Sequence, residues 1–238
     1  MNILNLLIDD REQVELSDIF LSEDNRQQIL QLIKEQKYAD ELLKYDLPIN
    51  NKVFLFGNSG CGKTTTAKAI ATALKKPVYI LNLSNIVSSK IGETGQNLKL
   101  IFDKASRDKA VLFLDEFDQI GKARGNDDKD VGEMRRLVNT IIQLIDYFPK
   151  NALLICASNH PQIIDIALMR RFQLKISFEL PSDELLNEYY DAILSHFPEN
   201  LRSINRKFGI SFAEAKDYAY TIIKGNIINQ LEKTNNNA

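Results

Sequence analysis

The residues best suited to chemistry form a glycine-rich run directly after an apolar segment. The run consists of Gly57, Asn58, Ser59, Gly60, Cys61, Gly62, Lys63 and Thr64, followed by Thr65. Its pattern, G-x-x-x-x-G-K-[ST], is typical of a phosphate-binding loop between a strand and a helix. Glycines let backbone N–H groups approach phosphate oxygens, and the following helix points its positive end at the same charge. We therefore expect residues 58–65 to bind ATP, with Lys63 at the β- and γ-phosphates and the Thr64 hydroxyl on Mg²⁺.

Two carboxylates, Asp115 and Glu116, follow the apolar run at residues 111–114. The carboxyl ends of parallel strands meet at one edge of a sheet, so both side chains are expected to face the phosphate loop. Asp115 is suited to hold Mg²⁺ through water, and Glu116 to polarise the water that attacks the γ-phosphate. An isolated Asp-Glu pair is usually a solvated strand end. The phosphate loop and the apolar strand favour the catalytic interpretation here.

Three further polar residues follow later strands. Asn159 comes after the apolar run 152–157, where its amide could hydrogen-bond the attacking water or the γ-phosphate. Arg170 and Arg171 lie shortly before the last strand, at the expected edge of the domain. From there they are far from their own nucleotide but could reach a neighbour's, and an arginine supplied in trans stabilises the transferring phosphoryl group. Alternatively, the arginines form only a basic surface and Asn159 only a turn.

The elements that must position these residues alternate between strand and helix. Strands are predicted for Val53–Phe56, Val78–Leu83, Val111–Leu114, Ala152–Ala157 and Leu174–Phe178, and helices for Asp24–Lys44, Thr64–Leu74, Gln96–Ser106 and Glu133–Tyr147. Most of the strand segments are continuously apolar, which is typical of strands buried on both faces of a parallel sheet. The alternation predicts an α/β fold with a doubly wound, five-stranded parallel sheet.

The pattern changes after Pro181, where two or three helices without a strand are predicted. The sequence therefore predicts four parts: a linker and helix at 1–48, a large α/β domain at 49–181, a small helical lid at 182–233 and a disordered tail at 234–238.

Composition argues against several classes of protein. The net charge of −2 gives no overall attraction to nucleic acid or to an anionic membrane, and no apolar run is long enough to span a bilayer. No secretory signal is recognisable at the start, and the two cysteines have no metal-binding spacing. A cytoplasmic location is expected, with both cysteines as packing residues.

Together these motifs resemble the AAA family of ATPases over nearly the whole chain. The phosphate loop, Asp115-Glu116, Asn159 and Arg170-Arg171 match its Walker A, Walker B, sensor-one and arginine-finger elements in order. The closely set arginines are most similar to those of the katanin and spastin clade. They also resemble those of small bacterial AAA ATPases encoded beside subtilisin-like proteases, some of them linked to phage defence.

The resemblance implies a homo-hexameric ring or spiral with Mg-ATP between subunits, acting on a protein substrate or on a partner such as a protease. Ile19 matches the linker that passes the adenine in relatives, although ordinary core packing explains it equally well. Lys90 stands where remodelling relatives carry a pore-loop aromatic residue, which weakens the case for threading a folded protein.

Two other functions remain open at this stage. If ATP turnover is slow, the chain would act as an ATP-dependent assembly switch. The missing pore-loop aromatic residue supports this alternative. A basic cluster comprising Lys122, Arg124, Lys129, Arg135 and Arg136 would suit a nucleic-acid loader, but Asp127, Asp128 and Asp130 dilute its charge.

Overall fold

A six-stranded sheet forms the centre of the fold in the computed structural model, which describes residues 7–9, 12–84, 91–122 and 128–236. The strands are β1 (Ile8–Asp9), β2 (Lys52–Gly57), β3 (Val78–Asn82), β4 (Val111–Asp115), β5 (Leu153–Ser158) and β6 (Leu174–Phe178), in the spatial order β1-β3-β4-β5-β2-β6. Strands β2 to β6 are parallel, as predicted. The short β1 pairs antiparallel with β3 and was not predicted, because two residues carry no periodic pattern.

The helices within the described residues are α1 (Glu23–Lys37), α2 (Ala39–Leu43), α3 (Lys63–Leu74), α4 (Ile91–Arg107), α5 (Gln119–Lys122), α6 (Asp128–Asp146), α7 (Ile166–Met169), α8 (Asp183–Leu194) and α9 (Phe212–Asn236), of which the last two follow the final strand. Single 3₁₀ turns occupy Pro161–Ile163 and Glu199–Leu201. The single helix predicted for residues 24–44 is wrong in one respect, since it divides into α1 and α2. Tyr38 interrupts it with φ −104° and ψ 19°, outside the helical region.

The central strands are buried on both faces, since every residue of β5 is buried. Phe54, Phe113 and Leu154 have no exposed surface. Phe172 packs on Phe54 with ring centroids 5.1 Å apart and on Phe117 at 5.7 Å, so the residue after the two arginines is anchored in the core.

Two compact units divide the chain. The first contains the described residues up to Ile19, then Glu23–Gly57 and Lys63–Phe178. The second contains Phe20–Ser22, Asn58–Gly62 and the residues from Glu179 onward. Residues 58–62 of the phosphate loop therefore group with the helical residues near the carboxyl end.

The second unit has its own core, formed by α8 and α9 around the fully buried Tyr190. Ser182 caps α8 by accepting a hydrogen bond from the Leu185 N–H at 3.3 Å. Helix α9 runs to Asn236, into the segment for which the sequence predicts disorder. Across the described ranges, no helix has the length and hydropathy needed to cross a membrane.

Candidate active site

The phosphate loop begins where β2 reaches the edge of the sheet. Gly57 has φ +123°, and a Cβ atom there would lie 2.2 Å from the Phe178 carbonyl oxygen, so only glycine fits between β2 and β6. Of the loop residues, Asn58 and Ser59 are exposed, Gly60 and Gly62 are half-buried, and Cys61 is buried with its Sγ 3.7 Å from the Ser59 carbonyl oxygen. The strand–loop–helix context that the sequence pattern requires is therefore present, since α3 starts at Lys63.

Lys63 is brought together with Asn159. The buried lysine donates a hydrogen bond from Nζ to Asn159 Oδ1 at 2.7 Å and another to the Gly57 carbonyl oxygen at 2.9 Å. These bonds link the first turn of α3 to the ends of two neighbouring strands, β2 and β5. The ammonium group is thus held at the carboxyl edge of the sheet.

Thr64 and Asp115 are also adjacent. The Thr64 hydroxyl donates to Asp115 Oδ2 at 3.3 Å, while Thr65, the next residue of α3, is exposed. A hydroxyl beside a carboxylate is an oxygen donor pair of the kind that Mg²⁺ prefers, so these two residues fit the ion. Within the described ranges, no group of three His, Cys, Asp or Glu residues forms a complete cation site. An ion here would take its remaining ligands from phosphate oxygens and water, as Mg²⁺ commonly does.

The electrostatics of Asp115 reflect its position at the end of a buried strand. Burial raises the pKa of its carboxyl group above the ordinary value of 3.8. The hydrogen bonds from the Glu116 N–H and the Thr64 hydroxyl act in the opposite direction on this pKa. Burial therefore destabilises the charged form of Asp115 when no cation is bound, and a nearby cation would offset this destabilisation.

Glu116 sits at a sharp turn. Its φ is +53°, in the left-handed region that few non-glycine residues adopt, and its backbone N–H donates to Asp115 Oδ1 at 2.8 Å. The Glu116 carboxylate accepts no hydrogen bond from any residue that the structure describes. The turn thus leaves a half-buried carboxylate next to Asp115 that can accept a proton from water.

Sequence reasoning missed two residues beneath this turn, Asp118 and Ser158. Both are almost fully buried, and the Ser158 hydroxyl donates to Asp118 Oδ1 at 2.8 Å. A signal was available, because Asp118 lies two residues after Glu116 and Ser158 lies immediately before Asn159.

The two arginines have different surroundings. Arg171 contacts Asp146 through Nε at 3.3 Å and donates to the Ala167 carbonyl oxygen at 2.9 Å. Arg170 is exposed, and its side chain forms no hydrogen bond or ion pair with any described residue. The structure therefore does not bring either arginine to Lys63 or Glu116 through a described contact.

Ile19 is buried, and its carbonyl oxygen accepts a hydrogen bond from Arg26 at 3.3 Å. Its expected contact with adenine stays a prediction. Lys90, Arg124 and Asp127 lie outside the described residues, as do the side chains of Lys122 and Lys129.

Comparison with known families identifies the family to which this fold belongs. Residues 53–180 match the model of the ATPase family associated with various cellular activities, abbreviated AAA. This chain belongs to the AAA family. The match covers more than half of the chain and confirms the resemblance read from the motifs.

Relatives with similar sequences include two proteins named as ATPases. An uncharacterized AAA family ATPase, y4kL, from Sinorhizobium fredii is 33% identical over 215 residues, which are 89% of this chain and 65% of the relative. A putative cell division cycle ATPase from Plasmodium falciparum is 35% identical over 153 residues, 62% of this chain and 12% of the relative. The chain thus spans just under two thirds of the first relative and a small part of the second.

Solved structures confirm the fold of this AAA protein. The AAA domain of FIGL-1 in complex with ADP superposes with a TM-score of 0.76 at 22% identity, covering 96% of this chain and 80% of that one. A second FIGL-1 AAA domain structure gives a TM-score of 0.69 at 22% identity, covering 84% and 71%. The α/β sheet with a helical carboxyl-terminal part is therefore the AAA fold.

Proposed function

We propose that this AAA protein binds Mg-ATP and hydrolyses it at a site shared between two copies of the chain. The observation that carries the proposal is the convergence of Lys63, Thr64, Asp115, Glu116 and Asn159 at the ends of β2, β4 and β5. These residue types at one sheet edge suit phosphoryl transfer to water, in which positioning and charge stabilisation supply most of the catalysis.

Each side chain has a distinct role in this mechanism. Lys63 binds the β- and γ-phosphates, and Glu116 accepts a proton from the attacking water. Asn159 orients that water or the γ-phosphate, because its amide already lies 2.7 Å from the Lys63 ammonium group. Thr64 and Asp115 hold Mg²⁺, which neutralises phosphate charge when bound.

An arginine from a neighbouring copy completes the site. Arg170 supports this part of the proposal because its exposed guanidinium group has no partner within the described residues, yet the buried Phe172 anchors the segment. A guanidinium group held at a rigid edge suits contact with charge on another molecule. Arg171 belongs to the same segment and can contact the neighbouring copy after its ion pair with Asp146 breaks.

The assembled ring uses hydrolysis to remodel or deliver a protein substrate, or to regulate a partner such as a protease. Membership of the AAA family and the match of the arginine pair to the katanin and spastin clade support this role. No described feature favours nucleic acid over protein as the substrate.

The mass of Glu116→Gln protein in solution, with and without Mg-ATP, tests the shared site. This substitution keeps the binding residues but removes the proton acceptor, so ATP should shift the protein from monomer to about six subunits and hold it there. Lys63→Ala is the matched control and should stay monomeric in the same buffer. A Glu116→Gln protein that binds ATP yet remains monomeric would contradict a shared site.

A further inference from the structure

The turn that carries Glu116 is bonded to the strand that carries Asn159. Regular pairing between β4 and β5 ends at Leu114 and Cys156. Beyond that point, the Phe117 N–H donates to the Ala157 carbonyl oxygen at 2.8 Å. The backbone on either side of Glu116 is therefore fixed to β5, although Glu116 itself leaves the sheet with a positive φ.

A single buried hydroxyl group extends this connection to Asn159. Ser158 Oγ donates to Asp118 Oδ1 at 2.8 Å and accepts a hydrogen bond from the His160 N–H at 2.9 Å. The first bond reaches the turn that follows Glu116, and the second closes a tight turn around Asn159. Asn159 in turn accepts the hydrogen bond from Lys63.

We propose that Asp118 and Ser158 are positioning residues, whose hydrogen bond sets the spacing between Glu116 and Asn159 that ATP hydrolysis requires. The inference rests on the proposed function, because the spacing between Glu116 and Asn159 matters only if both residues act on the same nucleotide. Both side chains are nearly excluded from solvent, where a hydrogen bond is not weakened by competition with water. A displacement of about 1 Å in a reacting group can cost about a hundredfold in rate, so a small rearrangement of this link would be measurable.

Ser158→Ala tests the inference directly. It removes one oxygen atom and leaves Asp118 without that donor and the His160 N–H without its acceptor. We expect kcat for ATP to fall about tenfold to a hundredfold, while the ATP dissociation constant changes by less than about threefold. Asp118→Asn keeps an acceptor for the Ser158 hydroxyl and should retain most of the wild-type kcat.

Asn51→Ala is the matched control for lost stability. Asn51 is equally buried and donates to the Pro149 carbonyl oxygen at 2.9 Å, but it precedes β2 and lies at the opposite edge of the sheet. Its loss should lower the melting temperature without a selective loss of kcat. Assembly of all variants with a non-hydrolysable ATP analogue is measured in parallel, so that kcat refers to assembled protein.

The outcomes separate this inference from the proposed function. A wild-type protein without ATPase activity would overturn the proposed function itself. With active wild type, an unchanged kcat in Ser158→Ala would overturn the positioning role. A loss of kcat that Asn51→Ala reproduces at equal thermal stability would also overturn it, because the effect would then be general destabilisation.

Discussion

At the scale of single residues, Asp115 shows how a carboxylate placed for cation binding is destabilised by burial. Its carboxyl group is partly desolvated at the end of a buried strand, and burial is the main cause of its raised pKa. At pH values between the ordinary pKa of 3.8 and the raised pKa, the Asp115 carboxyl group is protonated in the folded chain but ionised in the unfolded chain. The free energy of unfolding therefore falls as the pH rises through this interval, and the loss persists at higher pH.

We predict that Asp115→Asn raises the melting temperature of the nucleotide-free protein at pH 7. The neutral amide removes the desolvated charge and can still accept the hydrogen bond from the Glu116 N–H. The gain in melting temperature should shrink as the pH falls below 3.8, because Asp115 of the wild type is then protonated in both the folded and the unfolded chain. Thermal melting at several pH values measures this difference. A variant that is less stable than wild type throughout the pH range would contradict the assignment.

At the scale of elements, the start of α9 supports the phosphate loop within the second unit. The Ala213 N–H donates to the Gly60 carbonyl oxygen at 3.2 Å. Gly60 has φ +74°, and a Cβ atom there would lie 2.6 Å from Ser211 Oγ. Ser211 and Glu214 form a capping box, in which the Ser211 N–H donates to Glu214 Oε2 at 2.8 Å and the Glu214 N–H donates to Ser211 Oγ at 3.3 Å.

We predict that Ser211→Ala weakens nucleotide binding through this contact. Loss of a helix cap costs about 1 kcal/mol, and fraying of the first turn would loosen the bond to Gly60. ADP affinity should fall about fivefold by calorimetry, the equivalent of that free energy. Ser182→Ala removes the cap of α8 in the same unit and should cost similar stability with unchanged ADP affinity. Equal effects of both substitutions on affinity would refute a specific contact.

The elements also show how far the sequence can predict this structure. The five parallel strands and the phosphate loop were predictable because buried strands and the G-x-x-x-x-G-K-[ST] pattern are local signals. The break at Tyr38 was not, because no glycine or proline within residues 24–44 marks it. The link between Asp118 and Ser158 joins residues 40 positions apart, and only the register of β4 and β5 brings them together.

At the scale of the whole molecule, the arginine pair determines whether the active site belongs to one copy or two. Arg171 is held by Asp146 at the end of α6, whereas the exposed Arg170 has no such contact with a described residue. An exposed ion pair contributes little to stability, so we expect the loss of either arginine to change the free energy of unfolding only slightly. Arg170→Ala and Arg171→Ala should each bind ATP like wild type and melt at a similar temperature, yet lose hydrolysis.

Mixing two inactive proteins distinguishes an arginine supplied in trans from one that acts within its own chain. Arg170→Ala keeps Glu116, and Glu116→Gln keeps Arg170, so a contact between unlike copies restores one complete site. If the subunits are mixed equally before ATP is added, about a quarter of the interfaces should be competent, because each neighbour is of the required type half of the time. ATPase activity of the mixture, with each variant alone as control, measures this recovery. We expect both variants to bind ATP, so failure to recover activity in co-assembled rings would show that Arg170 serves its own subunit or none.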